Sequence, residues 1–370
     1  MGSQHPKKVL HITFDMGIGG TEQVIRQLIN NLDSSAFQCE IACIDGKIGP
    51  VGTQLAEQGI PLHSHTRQAG LDWGLIRWLR HLIKSRNIDI VHAHQYSPYS
   101  YAWFAHWGLG VKLIFTEHGR FHPDRHRTKA RFINPLIAHT TDHIVAISSA
   151  TKDALAEYEY LPKNKIRVIY NGIAGLRPNQ QQIDTLRDSL GIHRNDRVIG
   201  TVARLDPVKN HPLMIKATQT LIEQGHPVKL LIVGDGPERE SLEKLTEQLH
   251  LKDAVLFTGF QNQPAEYLAL LDIFLLPSFT EGTSITLLEA MSLGIPAVAT
   301  RVGGTPEIVE DEETGILIES DNLPGFVNSV SRLLVDPHVY SSMAEATLQR
   351  FQTRYSVEQM VSHYQTLYLK

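Results

Sequence analysis

Ile273–Ile318 reads IFLLPSFTEGTSITLLEAMSLGIPAVATRVGGTPEIVEDEETGILI. Three short apolar runs stand in it, at Ile273–Pro277, Ala297–Thr300 and Gly315–Ile318. Each is continuous rather than alternating, as a strand must be when helices cover both faces of its sheet. A helix is expected between the first two, starting near Thr283 or Ser284. Strand, loop, helix and strand in that order are the repeating unit of a parallel, doubly wound sheet.

The same unit recurs in both directions from this stretch. Val198–Ala203, Lys229–Val233 and Val255–Thr258 read as strands, with helices at His211–Gln224 and Glu238–Leu249. Further upstream the pattern pauses at Asn171–Gln182 (NGIAGLRPNQQQ), which is polar and without period. Before the pause it runs again. Strands are expected at Val9–Phe14, Cys39–Ile44, Ile88–His92, Lys112–Thr116 and His143–Ile147. Helices are expected at Thr21–Leu32, Val51–Gln58, Leu71–Ser85 and Tyr99–Trp107. The fold class is therefore α/β, with two doubly wound Rossmann-like domains. We place the first at 1–172, a linker at 173–182 and the second at 183–353. A last helix, about Val357–Leu367, could pack on either. Ligands of such sheets bind at the carboxyl ends of the strands, and a two-domain version sets two such edges face to face across a cleft.

The bulk properties agree. The chain has 370 residues, more than a single compact domain usually holds. It is 42% hydrophobic and 20% charged, which excludes a disordered or coiled-coil protein. Its formal charge of −4 argues against a polycation made for nucleic acid. Cys39 and Cys43 are the only cysteines. On one strand they would stand about 13 Å apart, too far for a disulfide. No signal peptide opens the chain, and no apolar run approaches the roughly 20 residues of a membrane span. A soluble, cytoplasmic protein is expected, with peripheral contact at a membrane surface left open.

Four groups of residues carry chemistry. Gly17-Ile18-Gly19-Gly20 follows the first strand and opens the first helix, where free amides favour a phosphate. A tight turn explains it as well. Glu22 stands where a dinucleotide fingerprint would need its third glycine, so a dehydrogenase is disfavoured. Arg204 and Lys209, in ARLDPVKN, lie just past a strand and could clamp a diphosphate. Glu281 falls in the loop after Ile273–Leu276, and Glu289 in the second turn of the helix. Gly282, Thr283, Ser284 and Ile285 lie between and offer amides to an anion. Two carboxylates beside an anion site make sense if they accept hydrogen bonds from sugar hydroxyls on either side of it. That is the layout of a nucleotide sugar. A helix-capping role for Glu281 is the plainer alternative.

Pro277–Glu307 resembles the signature of family 4 retaining glycosyltransferases of the GT-B fold. It has Glu281, seven residues, Glu289, then Ala290-Met291, Gly294-Ile295-Pro296-Ala297-Val298-Ala299-Thr300 and Val302-Gly303-Gly304. Other pieces match in order: Gly19-Gly20, Ile90-Val91-His92-Ala93-His94, Thr116-Glu117-His118-Gly119, Val168-Ile169-Tyr170-Asn171-Gly172, Arg204 with Lys209, and Val233-Gly234-Asp235-Gly236-Pro237. The resemblance implies that Arg204 and Lys209 hold the donor diphosphate and that Glu289 binds the ribose. Glu281 and the amides of Gly282–Ile285 would bind the donor sugar, and Gly259 and Phe260 would border the base. Gly19 and Gly20 would approach the diphosphate, and His118 would contact the sugar near its reacting carbon. The C-terminal helix, about 354–370, would cross back to the first domain.

By the same resemblance no metal or other cofactor is needed, since cations and a helix terminus neutralise the leaving diphosphate. The implied reaction is retaining transfer of a hexose-type sugar, with UDP weakly preferred as the base, from a nucleotide-sugar donor to a hydroxyl of a saccharide or lipid-linked saccharide. Bacterial surface polysaccharide, lipopolysaccharide or glycolipid synthesis is the implied setting. An epimerase, a phosphorylase and a non-catalytic nucleotide-sugar-binding protein are the alternatives. Two positions depart from the family pattern. Thr283-Ser284-Ile285-Thr286 replaces a more apolar loop, and Ala174 stands where an acid is common.

Two features remain. His118, His122 and His126 are spaced four apart near His92 and His94, but Pro123 breaks any helix that would align them, and no metal site is expected. Arg120–Arg131 (RFHPDRHRTKAR) is basic, and Arg120, Arg125 and Arg127 are candidates for an anionic acceptor or a membrane headgroup. Trp78, in LIRWLRHLIKS, lies on a basic amphipathic helix that either packs in the core or docks on a surface.

Overall fold

A computed structural model describes residues 5–119 and 130–370. Internal contacts divide the chain into two compact units. One holds the chain up to Gly172 together with Val357–Lys370, and the other is Ile173–Ser356.

The first unit runs β1 (Lys7–Thr13), α1 (Gly20–Asn31), β2 (Phe37–Cys43), α2 (Pro50–Glu57), β3 (Leu62–Ser64), α3 (Trp73–Ser85), β4 (Ile90–His94), α4 (Tyr96–His106), β5 (Lys112–Glu117), α5 (Ala130–His139), β6 (His143–Ala146), α6 (Ser149–Tyr158) and β7 (Ile166–Val168). Its seven strands lie in the order β3-β2-β1-β4-β5-β6-β7, all parallel. The second unit runs α7 (Gln180–Ser189), β8 (Arg197–Val202), α8 (His211–Glu223), β9 (Val228–Val233), α9 (Arg239–Gln248), β10 (Val255–Phe257), α10 (Ala265–Ala269), β11 (Ile273–Leu276), α11 (Ile285–Ser292), β12 (Ala297–Thr300), α12 (Thr305–Ile308), β13 (Gly315–Ile318), α13 (Leu323–Val335) and α14 (Pro337–Arg350). Its six strands lie in the order β10-β9-β8-β11-β12-β13, again parallel. The order reverses between β1 and β4 in one sheet and between β8 and β11 in the other. These are the switch points at which doubly wound folds open a crevice.

Both faces of the first sheet are covered, which is why its strands read as continuous apolar runs. On one face Leu10, Ile12, Ala93 and Phe115 pack against Leu75, Ile76 and Leu79 of α3 and Tyr99, Ala102 and Ala105 of α4. The apolar stripe of the Trp78 helix is therefore core, not a docking face. On the other face Val9, Ile90, Ile114 and Val145 meet Val24 and Leu28 of α1. They also meet Val357, Met360, Val361, Tyr364 and Tyr368 of the last helix, α15 (Val357–Leu369). Lys112 Nζ donates to the carbonyls of Leu367 and Tyr368, both at 3.1 Å, and Lys7 Nζ to Tyr368 O at 3.2 Å. Two cations thus satisfy the open carbonyls at the end of α15.

Several boundaries differ from the sequence reading. The expected strand Ile88–His92 lies at Ile90–His94, because Ile88 N still bonds Ile83 O at 3.0 Å in the turn that ends α3. The expected linker ends early. Asn179 accepts from the amides of Gln181 and Gln182, so Gln180–Gln182 are already helical. Strands β3 and β7, of three residues each, were too short to carry a pattern. Cys39 and Cys43 are free thiols on β2, and burial pushes both up to about 12. Among the described residues no helix is long and apolar enough to cross a membrane.

Tyr368 OH meets His92 Nδ1 at 2.7 Å, where both residues are fully buried. Tyr368→Phe keeps the packing and leaves that nitrogen alone. We expect a loss of about 1–3 kcal/mol in urea unfolding, and an unchanged midpoint would show that the bond does not hold α15 in place.

Candidate functional site

In the second unit the loops that leave the carboxyl ends of β8, β9, β10 and β11 are tied together by backbone bonds. Leu205 N bonds Asp235 O at 3.0 Å, Gly234 N bonds Gly259 O at 2.9 Å, and Phe279 N bonds Val208 O at 2.8 Å. Asp206 caps a single 3-10 turn at Pro207–Lys209 and so aims Lys209 along the sheet edge. Lys209 Nζ reaches Glu281 Oε1 at 2.6 Å, and Ser278 Oγ donates to the same oxygen at 2.6 Å. Glu281 Oε2 takes part in neither bond. The Glu281 side chain is only 8% exposed and that of Lys209 25%. A carboxylate so far out of water needs its cation.

Glu281 does not cap the helix. Ser284 does, accepting from Leu287 N at 3.3 Å at the start of α11. Gly282 and Thr283 therefore belong to the loop, Ser284 is the cap, Ile285 is the first helical residue, and Glu289 lies in the second turn. The first glycine of Val302-Gly303-Gly304 has a packing reason. Gly303 has φ +52°, and a Cβ there would stand 1.8 Å from Glu281 O, while Gly304 N bonds that same oxygen at 3.1 Å. Gly234 is constrained likewise, since its Cβ would meet Ala203 O at 1.9 Å. The glycines let neighbouring loops close on one another and hold Glu281 in place.

Arg204 is exposed on the same edge, as is Phe260 beside Gly259. Of the expected donor-side residues, Lys209 and Glu281 touch. Arg204, Gly259, Phe260 and Gly282–Ser284 lie in the exit loops of the same edge, Ile285 opens α11 and Glu289 lies in its second turn. Ser278 was missed. Its place two residues past β11 carried no pattern that marks it as a partner of Glu281.

The first unit brings another group together. Side chains two apart on a strand share a face, and register aligns His11 with His92 and His94 with Thr116. His11 Nδ1 lies 3.0 Å from His94 Nε2, and His94 Nδ1 lies 2.9 Å from His118 Nε2. His92 Nε2 meets Thr116 Oγ1 at 2.8 Å, and Thr116 Oγ1 meets Tyr364 OH at 3.1 Å. His11, His92 and His94 have no exposed surface. Burial pushes His11 and His118 down to about 3. Burial and then the neighbouring imidazoles hold His92 and His94 well below the ordinary value. All four are neutral imidazoles at pH 7.

Nitrogens of His11, His92 and His94 come within 4.8 Å of one another. Both nitrogens of His92 are already bonded to hydroxyls, and His11 and His94 face each other. A cation there would have to break those bonds, so the array reads as a hydrogen-bonded network. His11 was not singled out in the sequence, because only strand pairing sets it beside His92.

Gly19 is the N-cap of α1 and Gly20 its first residue, at the end of the loop 14–18 that leaves β1 at the switch point. Burial of Glu22 in that first turn raises its carboxyl, with Asp15 adding to the effect. Arg120, Arg125 and Arg127, with His122 and His126, lie outside the described residues.

The neutral histidines make stability depend on pH. Unfolded histidines titrate near 6.5, so below that value the unfolded chain binds more protons than the folded one. Stability is complete above about pH 6.5 and falls on acidification, by about 1.4 kcal/mol per pH unit for each such histidine. Urea unfolding at pH 7.5, 6 and 5 checks this, and a flat profile over that range would contradict the buried neutral array.

Two family models match the chain, Glycosyltransferase Family 4 over residues 18–174 and Glycosyl transferases group 1 over residues 182–350. The chain is 29% identical over 80% of its length to N-acetyl-alpha-D-glucosaminyl L-malate synthase of Bacillus anthracis, covering 78% of that protein. It is 26% identical over its whole length to UDP-Gal:alpha-D-GlcNAc-diphosphoundecaprenol alpha-1,3-galactosyltransferase of Escherichia coli, covering 98% of it. Its fold matches Anabaena HepE in complex with UDP at a TM-score of 0.84 and 22% identity, over 98% of each chain. With each unit matched by its own model, the chain belongs to the group 1, family 4 glycosyltransferases, built on the GT-B fold.

Proposed function

We propose that this glycosyltransferase moves a hexose-type sugar from UDP to a hydroxyl of a saccharide or lipid-linked saccharide, with retention at the anomeric carbon and without a metal. The observation that carries this reading is the edge of the second sheet, where Arg204 and the Lys209–Glu281 pair share one rim with the opening of α11. Cations and helix-opening amides suit a diphosphate, and the carboxylates suit sugar hydroxyls. Arg204 and Lys209 would neutralise the leaving diphosphate, which is the work a metal does elsewhere. Glu281 Oε2 would accept from the donor sugar, Glu289 from the ribose, and Gly259 and Phe260 would border the base.

In a retaining transfer the acceptor oxygen bonds to the anomeric carbon on the face that the diphosphate leaves. The carbon–oxygen bond to the diphosphate breaks, and a diphosphate oxygen takes the acceptor's proton. Gly19 and Gly20 would approach the diphosphate, and His118 the sugar. The E. coli relative is named for a UDP-Gal donor and a diphosphoundecaprenol acceptor, which favours UDP and a lipid-linked saccharide here.

Contact with a membrane surface belongs to the same proposal, and with it a place at the cytoplasmic face. On α5, Phe132, Ile133 and Leu136 fall on one side of the helix and are 83%, 54% and 60% exposed, next to exposed Arg131. Anionic lipid attracts such a cation, and the apolar side chains suit the interface. Sedimentation with vesicles containing phosphatidylglycerol should capture the protein and should capture Phe132→Ser less. Equal recovery of both proteins would remove α5 from the membrane-facing surface.

Thermal unfolding with UDP, GDP, ADP and their common sugars, with and without chelator, tests the donor. Ligand at a hundredfold excess over its Kd adds about 2.7 kcal/mol to stability. A chelator-insensitive shift with UDP alone is expected. Arg204→Ala should weaken UDP binding about 10–100-fold. Glu281→Ala should lower kcat/KM on the order of 100-fold or more, with the product retaining configuration in the wild type. Wild-type turnover in both variants would overturn the assignment.

A further inference from the structure

The line His11–His94–His118 crosses three adjacent strands and ends on a ring atom that no described residue satisfies. His118 follows the last residue of β5, at the carboxyl edge of the first sheet, and its Nδ1 has no hydrogen-bond partner, although the residue itself is only half-buried and so lies within reach of the edge. At the other end His11 Nε2 is sealed and likewise unpartnered. Between them the two N···N bonds of 3.0 and 2.9 Å join three neutral rings, each with a single N–H.

Only two arrangements of protons satisfy both bonds. In one, His118 Nε2–H donates to His94 Nδ1 and His94 Nε2–H donates to His11 Nδ1. The third proton is then on His11 Nε2, where a donor is buried at the closed end and no ligand can reach it. In the other, His11 Nδ1–H donates to His94 Nε2 and His94 Nδ1–H donates to His118 Nε2. The unmatched donor is then His118 Nδ1–H, at the sheet edge where ligands bind. A buried N–H without an acceptor is among the costliest and rarest groups in folded proteins. The second arrangement therefore wins as soon as a ligand oxygen arrives, and the first can never be relieved. His92 cannot redirect the line, because its nitrogens are held by Tyr368 and Thr116.

We propose that His94, backed by His11, is a positioning residue that locks His118 in the tautomer with the proton on Nδ1. His118 then meets the donor as a neutral N–H donor to a sugar or phosphate oxygen, neither a cation nor a base. This rests on the reading that His118 faces the nucleotide sugar. It gives three histidines a role in a core that could be apolar: each ring can accept at one nitrogen and donate at the other, which no aliphatic side chain can do across the strand spacing.

The test uses the full chain labelled with 15N-histidine. Two-bond 15N–1H correlation spectra distinguish a protonated ring nitrogen from a bare one. In the wild type with UDP-glucose, His118 should carry its proton on Nδ1 with Nε2 bare. A wild-type His118 protonated on Nε2, or on both nitrogens at pH 7, overturns the proposal with no variant needed. In His94→Leu the donor to His118 Nε2 is gone, and His118 should lose its fixed tautomer. His94→Asn restores an N–H donor near the position of Nδ1 and should restore the tautomer. Loss of such a positioning partner costs about 10–100-fold in turnover, so kcat should fall by that factor in His94→Leu with acceptor KM unchanged, and recover in His94→Asn. An identical His118 tautomer in wild type and His94→Leu overturns the lock. A changed tautomer with unchanged kcat upholds the lock and instead removes His118 from the donor site.

Discussion

Parallel pairing is the constraint from which the rest follows. A parallel strand can be followed by its neighbour only after a crossover, so every strand delivers its exit loop to the same edge of the sheet. Both sheets obey this, and in both the chain reverses its winding beside the first strand of the unit. The exit loops of β1, β4 and β5 therefore share one rim, and those of β8, β9, β10 and β11 another. Residues as far apart in sequence as Lys209 and Glu281 come into contact because the strands before them, β8 and β11, are neighbours.

The two rims solve opposite electrostatic problems. On the second unit charge is kept and paired, with Glu281 held by Lys209 and Ser278 against glycines that leave no room for a side chain. An ion pair this close to the interior is worth little as a stabiliser. On the first unit charge is excluded. α15 closes over the face that carries His11, His92 and His94, and the rings remain neutral because water cannot reach them. Desolvation there turns histidine from a titrating group into a directional one, able to carry a preference for donor or acceptor along a line of strands.

The helix that seals this face comes from the far end of the chain. Tyr364 and Tyr368 supply hydroxyls to Thr116 and His92, and two lysines from β1 and β5 finish its carbonyls. Packing and polar satisfaction are thus settled together. Apolar side chains of α15 cover Val9, Ile90 and Ile114, while its two tyrosines answer the polar groups that stand in the same face.

Local chemistry wrote much of this into the sequence. Continuous Val- and Ile-rich runs separated by amphipathic ones require a doubly wound α/β fold, since only strands covered on both faces can be so uniformly apolar. The ordered motif from Glu281 to Gly304, with Arg204 and Lys209 ahead of it, was sufficient to mark loops that meet at the carboxyl edge of the second sheet. Three-residue strands such as β3 and β7 were not legible, because a pattern needs more than one repeat. Neither was the end of the linker, which turns on a single Asn179 cap. What tertiary structure alone decided is which residues meet. His11, His94 and His118 form a line, Ser278 shares Lys209's carboxylate, and Ser284 rather than Glu281 caps α11, because strand order and register set side chains against one another. Neither is encoded in the spacing of residues along one strand. The sequence determined the elements and the kinds of chemistry they carry; the pairing of strands determined the partners.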